Sequence, residues 1–81
     1  MREYKTQIRV HALQWNGYNK EEMKVFLRDD RPCVLISGDI SSPIQNLRIS
    51  LNDWVVVDLE TGFYWVEDNE TFTQNYQEVG I

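Results

Sequence analysis

Few side chains in this 81-residue chain could act as a nucleophile or a base, because it has one histidine, His11, and one cysteine, Cys33. Nucleophilic catalysis needs a nucleophile, a base and an orienting group within reach of one another, and the spacing brings no such set together. His11 occupies a polar position of a strand pattern, so we expect it to be at the surface or half-buried. Cys33 is followed by Val34, Leu35 and Ile36, which predicts a small buried core residue.

The acidic residues supply oxygen ligands without the spacing of a metal site. Asp68-Asn69-Glu70 lacks the length and the turn glycine of a calcium loop and is typical of a capped surface turn. One histidine and one cysteine exclude a zinc site with four Cys or His ligands. The sequence contains no Walker-type loop, G-x-G-x-x-G motif, G-x-S-x-G elbow or H-E-x-x-H pair. It therefore predicts a protein that is not an enzyme and uses no cofactor or metal.

The net charge of −5 is concentrated in the second half of the chain. Residues 1–40 carry seven Lys or Arg against six Asp or Glu, whereas residues 41–81 carry one Arg against seven Asp or Glu. Binding to a phosphate backbone needs clustered Lys and Arg, so this distribution argues against direct contact with nucleic acid. Two interpretations stay open: ordinary solubilising charge, or a surface complementary to a basic partner.

Length and composition predict a single folded domain over residues 1–81. A chain this short assembles one core, and a hydrophobic fraction of 42% is too high for a disordered chain. The apolar run Trp54-Val55-Val56-Val57 is far shorter than a membrane span, and no apolar stretch follows the charged start as in a secretory signal. With one cysteine and no internal disulfide, we expect a protein of the cytoplasm.

The first half of the chain predicts a strand followed by a helix. Residues 4–15 alternate between apolar and polar, and a change of phase at Ala12-Leu13 indicates a bulge or a twist. After a turn at Asn16-Gly17, Asn19 and Glu22 resemble a capping box. The helix is predicted over about residues 19–29, before Pro32, with one apolar stripe formed by Met23, Phe26 and Leu27.

The second half predicts strands separated by turns. The expected strands are residues 33–37, 44–51, 54–59, 63–66 and 76–79, with breaks at Ser37-Gly38-Asp39 and Ser41-Ser42-Pro43 and a hairpin turn at Glu60-Thr61-Gly62. Asp68 is expected to cap a short helical turn, and Trp54 and Phe26 are expected in the core. Without the last of these strands, the order β-α-β-β-β-β predicts an α+β fold: an antiparallel sheet, as a roll or partly open barrel, with one helix packed on it.

The last predicted hairpin combines aromatic and acidic residues. Phe63-Tyr64-Trp65 places bulky rings on both faces of one strand, so at least one ring should be exposed. No Lys or Arg lies between Trp54 and Glu78. An exposed aromatic ring inside an acidic rim is typical of a protein-binding hot spot. The predicted partner-binding residues are Asp58, Glu60, Tyr64, Trp65, Glu67, Asp68 and Glu70.

Blocks of this sequence resemble a family of small proteins encoded in phages and prophages. Ala12-Leu13-Gln14-Trp15-Asn16-Gly17 is similar to the A-I-Q-W-T-G stretch of that family. Leu51-Asn52-Asp53-Trp54-Val55-Val56 and Thr61-Gly62-Phe63-Tyr64-Trp65 resemble its P-G-D-W-I-I and G-E-F-Y-P stretches, and Asn69-Glu70-Thr71-Phe72 with Tyr76-Gln77-Glu78-Val79 resembles its D-I-F-E-x-T-Y-E ending. Leu51-Asn52 replaces the Pro-Gly of the family, and Trp65 stands where the family tends to have Pro.

This resemblance implies a phage accessory protein acting in the bacterial host cell, and proteins of that size and setting are often inhibitors of host defence. The implied function is an anti-defence, for example anti-CRISPR, inhibitor that blocks the basic, nucleic-acid-handling surface of a CRISPR effector or another defence nuclease. One alternative is a protein that sequesters a nucleotide immune signal, which would need aromatic stacking and a basic group for phosphate. Another is a minor virion or morphogenesis component.

Overall fold

A computed structural model of the protein describes residues 9–75, which form six strands and two helices. The strands are β1 (Val10–Gln14), β2 (Cys33–Val34), β3 (Ile40–Ser42), β4 (Leu47–Ile49), β5 (Trp54–Asp58) and β6 (Tyr64–Glu67), and the helices are α1 (Lys20–Leu27) and α2 (Asn69–Asn75). Two antiparallel three-stranded sheets result, a first sheet in the order β1-β5-β6 and a second sheet in the order β2-β3-β4. The predicted α+β fold is confirmed, and the strand expected over residues 76–79 lies outside the described residues.

The first sheet is paired without interruption along β5. Val10 lies opposite Asp58 and Gln14 opposite Trp54 on one side, and Trp54 lies opposite Glu67 on the other. The bulge expected at Ala12-Leu13 is therefore absent.

The change of apolar phase in β1 arises because both faces of the first sheet are covered. Leu13 and Trp15 contact the main core, which lies between α1 and the two sheets, whereas Val10 and Ala12 belong to a smaller cluster that contains Phe72 of α2. Successive side chains of a strand point to opposite faces, so the apolar positions change parity when burial passes from one face to the other.

Helix α1 is two residues shorter at its C-terminal end than the sequence predicts. Arg28 adopts a left-handed backbone conformation with φ of 55° and ψ of 40°, which ends the helix after Leu27. The Arg28 N–H donates to the Val25 carbonyl oxygen at 3.3 Å, and the Asp29 N–H donates to that of Lys24 at 3.1 Å. These two bonds form a Schellman motif. The motif cannot be recognised from the sequence, because its left-handed residue is an arginine rather than the usual glycine.

At the other end of α1, Asn19 holds the preceding strand rather than the first turn of the helix. Its Nδ2 donates to the carbonyl oxygen of Gln14 at 2.9 Å and to Glu22 Oε1 at 3.2 Å, and its Oδ1 accepts from the Asn16 N–H at 3.1 Å. Its side chain makes no capping hydrogen bond to the helix backbone. The expected capping box is thus present only as a contact between two side chains.

The second sheet contains a strand where the sequence predicts a break. Ile40–Ser42 forms β3 and pairs with β2 on one side and β4 on the other. Ile40 and Ile49 are buried in the main core, whereas β2 is an edge strand whose Cys33 and Val34 are exposed. The prediction that Cys33 is a buried core residue is wrong, because its apolar run lies at the edge of the sheet and not beneath α1.

The buried core tryptophan is Trp15, not Trp54. Trp15 is 0% exposed, and its Nε1–H donates to the carbonyl oxygen of Gly38 at 2.9 Å, which ties the first sheet to the turn between β2 and β3. Trp54 is half-buried and stacks on Phe72 with ring centroids 4.1 Å apart. The core prediction is wrong for Trp54, whose ring faces the short helix α2, and is confirmed for Phe26.

Candidate functional site

The β5–β6 hairpin places three of the seven predicted partner-binding residues on one face of the first sheet. In the register of the hairpin, Val56 lies opposite Trp65 and Trp54 opposite Glu67, so Asp58, Trp65 and Glu67 share the face on which Phe72 of α2 packs. Glu60 is exposed in the hairpin turn, and Asp68 and Glu70 are exposed at the start of α2.

Tyr64 is separated from the other predicted residues because it lies on the opposite face. Its hydroxyl donates to the carbonyl oxygen of Phe26 at 2.7 Å, and the two rings meet edge to face with centroids 6.1 Å apart. Burial raises the pKa of the Tyr64 phenol. This residue connects β6 to the end of α1 and does not contribute to the acidic surface.

The exposed ring of the hairpin is Phe63, which the prediction did not include. Phe63 is 67% exposed and stacks on Trp65 with ring centroids 6.2 Å apart. The indole Nε1–H of Trp65 donates to Glu67 Oε2 at 2.9 Å, which holds a carboxylate beside the ring pair. We refer to Phe63 and Trp65, together with the carboxylates of Asp58, Glu60, Glu67, Asp68 and Glu70 on the hairpin and at the start of α2, as the acidic-aromatic face.

Two of these carboxylates also shape the local backbone. Asp58 Oδ1 accepts from the backbone N–H groups of Glu60 at 2.8 Å and Thr61 at 3.4 Å, which holds the hairpin turn. Asp68 Oδ1 accepts from the Thr71 N–H at 2.7 Å and caps α2, as the sequence predicts. The bonds from Thr71 lower the pKa of Asp68, so this carboxylate is ionised at neutral pH.

The pKa of a further carboxylate, Asp53, is affected by two other acidic side chains. Partial burial, together with repulsion from Asp68 and Asp39, raises the pKa of Asp53. Burial is the larger cause of this rise, and the repulsion adds to it. The exposed side chains of Glu60 and Glu70 make no hydrogen bond or ion pair within residues 9–75.

A buried polar cluster that the sequence did not reveal fixes the end of α1. Asp29 is 2% exposed, and its carboxylate accepts from the Ser42 hydroxyl at 2.7 Å and from the Arg31 N–H at 2.9 Å. These bonds lower the pKa of Asp29. Gln45 Nε2 donates to the Leu27 carbonyl oxygen at 2.7 Å, so the turn between β3 and β4 is attached to the helix. Because these polar atoms pair with one another, the cluster is structural.

The described residues place the candidates for catalysis apart. His11 lies in β1 of the first sheet, whereas Cys33 lies in the edge strand of the second. Over residues 9–75, no three His, Cys, Asp or Glu side chains converge as metal ligands. Neither of the helices in that range has the length and apolar character to cross a membrane.

Comparison of the chain with protein-family models, with curated proteins and with solved structures returned no match. The resemblance to small phage proteins therefore stays a prediction from the sequence, and the geometry of the acidic-aromatic face is the basis for a functional proposal.

Proposed function

We propose that this chain is a non-enzymatic binding protein that places its acidic-aromatic face on a basic site of a partner protein. The observation that carries the proposal is the exposed Phe63 ring, which stacks on Trp65, whose indole N–H holds the Glu67 carboxylate beside the ring pair. An aromatic anchor surrounded by polar groups supplies binding energy at the centre of an interface, and the charges around it steer association and select the partner.

The charge of the surface defines the chemistry of the partner. No Lys or Arg follows Arg48 in the chain, so the acids of the face have no basic neighbours nearby in sequence. Repulsion from Asp68 contributes, after burial, to the raised pKa of Asp53, and a cationic partner would relieve repulsion of this kind. Proteins that handle nucleic acid have basic grooves of this kind, and an acidic surface competes with phosphate for them.

The resemblance to phage accessory proteins narrows the expected partner to a host defence protein, such as a CRISPR effector or another defence nuclease. In that role the chain would act by occupancy: the face covers the basic groove, and the nuclease no longer engages its nucleic acid. The mechanism needs no reaction and no cofactor.

A matched pair of charge variants tests the proposal. The triple variant Glu60→Gln, Glu67→Gln and Glu70→Gln removes three carboxylates from the face without altering the Asp58 and Asp68 bonds to the backbone. Its control, Glu21→Gln, Glu22→Gln and Asp30→Asn, removes the same charge from exposed positions on and just after α1. Both are assayed for inhibition in phage plaque assays on bacteria that carry individual defence nucleases.

The proposal expects the parent and the control to restore plaque formation against at least one nuclease and the face variant to lose this ability. Phe63→Ser tests the anchor separately, because an exposed ring is dispensable for folding and a central hot-spot ring contributes about 2 kcal/mol, or roughly thirtyfold in affinity. Equal inhibition by the folded face variant and the parent would overturn the proposal that the acidic-aromatic face binds the partner. Loss of inhibition in the control as well would show that inhibition depends on the overall charge of the protein and not on the acidic-aromatic face.

A further inference from the structure

A hollow of about 530 Å³ lies between the C-terminal end of α1 and the first sheet, and Asp58 is the residue that it shares with the acidic-aromatic face. Its apolar walls include Val25 and Phe26 of α1 and Val57 and Tyr64 of the sheet. Val57 and Tyr64 belong to the side of the first sheet that faces the main core. The volume falls within the range of small-molecule binding sites.

Arg28 supplies positive charge at the rim of this hollow. Its side chain is exposed and makes no hydrogen bond or ion pair within the described part of the chain. Its guanidinium is close enough to Tyr64 to favour the phenolate form of that residue, although burial has the larger and opposite effect on the phenol pKa. Within residues 9–75, therefore, the cation at the rim of the hollow has no carboxylate paired to it.

The guanidinium is not required to cap α1. The last four carbonyl oxygens of the helix already accept other donors: those of Lys24 and Val25 from the Schellman bonds, that of Phe26 from the Tyr64 hydroxyl, and that of Leu27 from Gln45. A basic residue at a helix C-terminus commonly satisfies such carbonyls. Here that role is filled, which leaves all five guanidinium donors available to a ligand.

The backbone at Arg28 also makes arginine an unexpected choice. Its φ of 55° is a left-handed conformation for which glycine is the usual residue. The other described non-glycine residues with positive φ are Asn46 and Asn52, and asparagine tolerates this region. An arginine at a position that favours glycine is consistent with a role for its side chain beyond the turn.

We infer that the hollow binds a small organic anion, with a carboxylate or phosphate paired to Arg28 and an apolar planar body against Phe26, Val57 and Tyr64. Arginine suits this class of ligand because its planar fork matches two oxygens of a carboxylate or phosphate. The Tyr64 hydroxyl donates its proton to Phe26 and Gln45 Nε2 donates to Leu27. His11 also lines the hollow, and Arg28 is the residue there that carries a permanent positive charge. Asp58 also borders the hollow, which favours a ligand with one anionic group over a ligand with several.

Titration followed by heteronuclear NMR tests the site with four defined probes: phenyl phosphate, benzoate, acetate and benzyl alcohol. Phenyl phosphate and benzoate should shift the resonances of Val25, Val57 and Tyr64 saturably, with dissociation constants of about 1 mM or tighter. Acetate lacks the apolar body and benzyl alcohol lacks the charge, and each should bind at least about tenfold more weakly.

Two variants with the same change in charge distinguish specific binding at Arg28 from a general attraction of anions to positive charge on the protein. Arg28→Gln should weaken phenyl phosphate and benzoate at least about tenfold. Arg31→Gln, an exposed neighbour that does not line the hollow, should leave both affinities within about twofold. The inference is overturned if neither aromatic anion saturates, if Arg28→Gln binds like the parent, or if Arg31→Gln loses as much affinity as Arg28→Gln. Because none of the variants in the plaque assays changes a residue that lines the hollow, these outcomes do not depend on those assays.

Discussion

Replacement of Trp15 by phenylalanine should destabilise this fold more than any other exchange of a tryptophan for phenylalanine in it. The indole is 0% exposed, and its Nε1–H provides the 2.9 Å bond to Gly38 that joins the two sheets. Loss of that bond from a partly buried carbonyl costs about 1–2 kcal/mol. The missing part of the ring adds about 1 kcal/mol in lost apolar burial and a small void. The expected decrease in the free energy of unfolding is therefore about 2–3 kcal/mol.

Urea denaturation followed by far-UV circular dichroism measures this decrease. A domain of 81 residues has a total stability of only about 4–12 kcal/mol, so the unfolding midpoint should fall clearly while the transition stays cooperative. In a thermal scan the same loss corresponds to a decrease of about 10–20 °C in Tm.

Trp65→Phe is the matched control, because it makes the same chemical change in a half-buried ring. Its Nε1–H is bonded to the Glu67 side chain, which can turn to water when the donor is removed. The cost should be below about 1 kcal/mol. If Trp15→Phe costs less than about 1 kcal/mol, or no more than Trp65→Phe, the assignment of Trp15 as the connection between the sheets is refuted.

Four further changes have defined outcomes. Arg28→Gly should raise the free energy of unfolding by about 0.5–1 kcal/mol, because glycine adopts the left-handed conformation freely; a lower urea midpoint would contradict this. The lowered pKa of Asp29 implies stability that is fully present above the unfolded-state pKa of about 3.9 and is lost as pH falls through the lower folded-state value. Asp29→Asn should therefore flatten the acid limb of the stability curve, and an unchanged limb would exclude this carboxylate as its source. Phe26→Ala should cost about 3–5 kcal/mol in urea denaturation, since the ring is buried in the main core, and an unchanged midpoint would show that it is not. Asn52 has φ of 72°, so Asn52→Gly should keep the thermal stability of the parent, whereas Asn52→Val should lower the free energy of unfolding by about 1 kcal/mol or more. Equal Tm values for the two variants would contradict the strain argument.

The elements that the sequence predicted correctly are those whose signal is local. The stripe of Met23, Phe26 and Leu27 identifies α1 because three buried side chains recur at helical spacing. Gly62 has a positive φ of 76° in the hairpin turn, as its position between two apolar runs indicates. Asp68 caps α2 through a bond to Thr71, three residues away.

The elements that the sequence missed depend on contacts between distant residues. Strand β3 has three residues and includes two serines, which is too short for a period of two to be visible. Its Ile40 is buried only because β4 pairs beside it and α1 covers the core. The left-handed turn at Arg28 has no signal in the residue type, since the bonds that stabilise it are between backbone atoms.

The candidate site was predicted in composition but not in orientation. Alternation shows that Phe63 and Tyr64 point to opposite faces, but it does not tell which face is covered. Hydropathy cannot decide between them either, because both faces of the first sheet carry apolar clusters. The sequence therefore offered Tyr64 and Trp65 as candidate anchors, whereas the Tyr64 hydroxyl is bonded to the end of α1 and Phe63 is the exposed ring.

The residues that carry the resemblance to phage proteins are mainly those that hold the fold. Gln14 Nε2 donates to the Asn52 carbonyl oxygen at 3.0 Å and to Asn69 Oδ1 at 3.3 Å, and Trp15 is bonded to Gly38. Asn52 stands where the family has glycine, and its positive φ explains why asparagine is an acceptable replacement. The acidic-aromatic face is divided: Phe63, Trp65 and Glu70 lie within the matching blocks, whereas its other carboxylates, and also Arg28, lie between them. Two chains that share those blocks can therefore share a fold and still bind different partners, so the function of this chain has to be tested on its own charged residues.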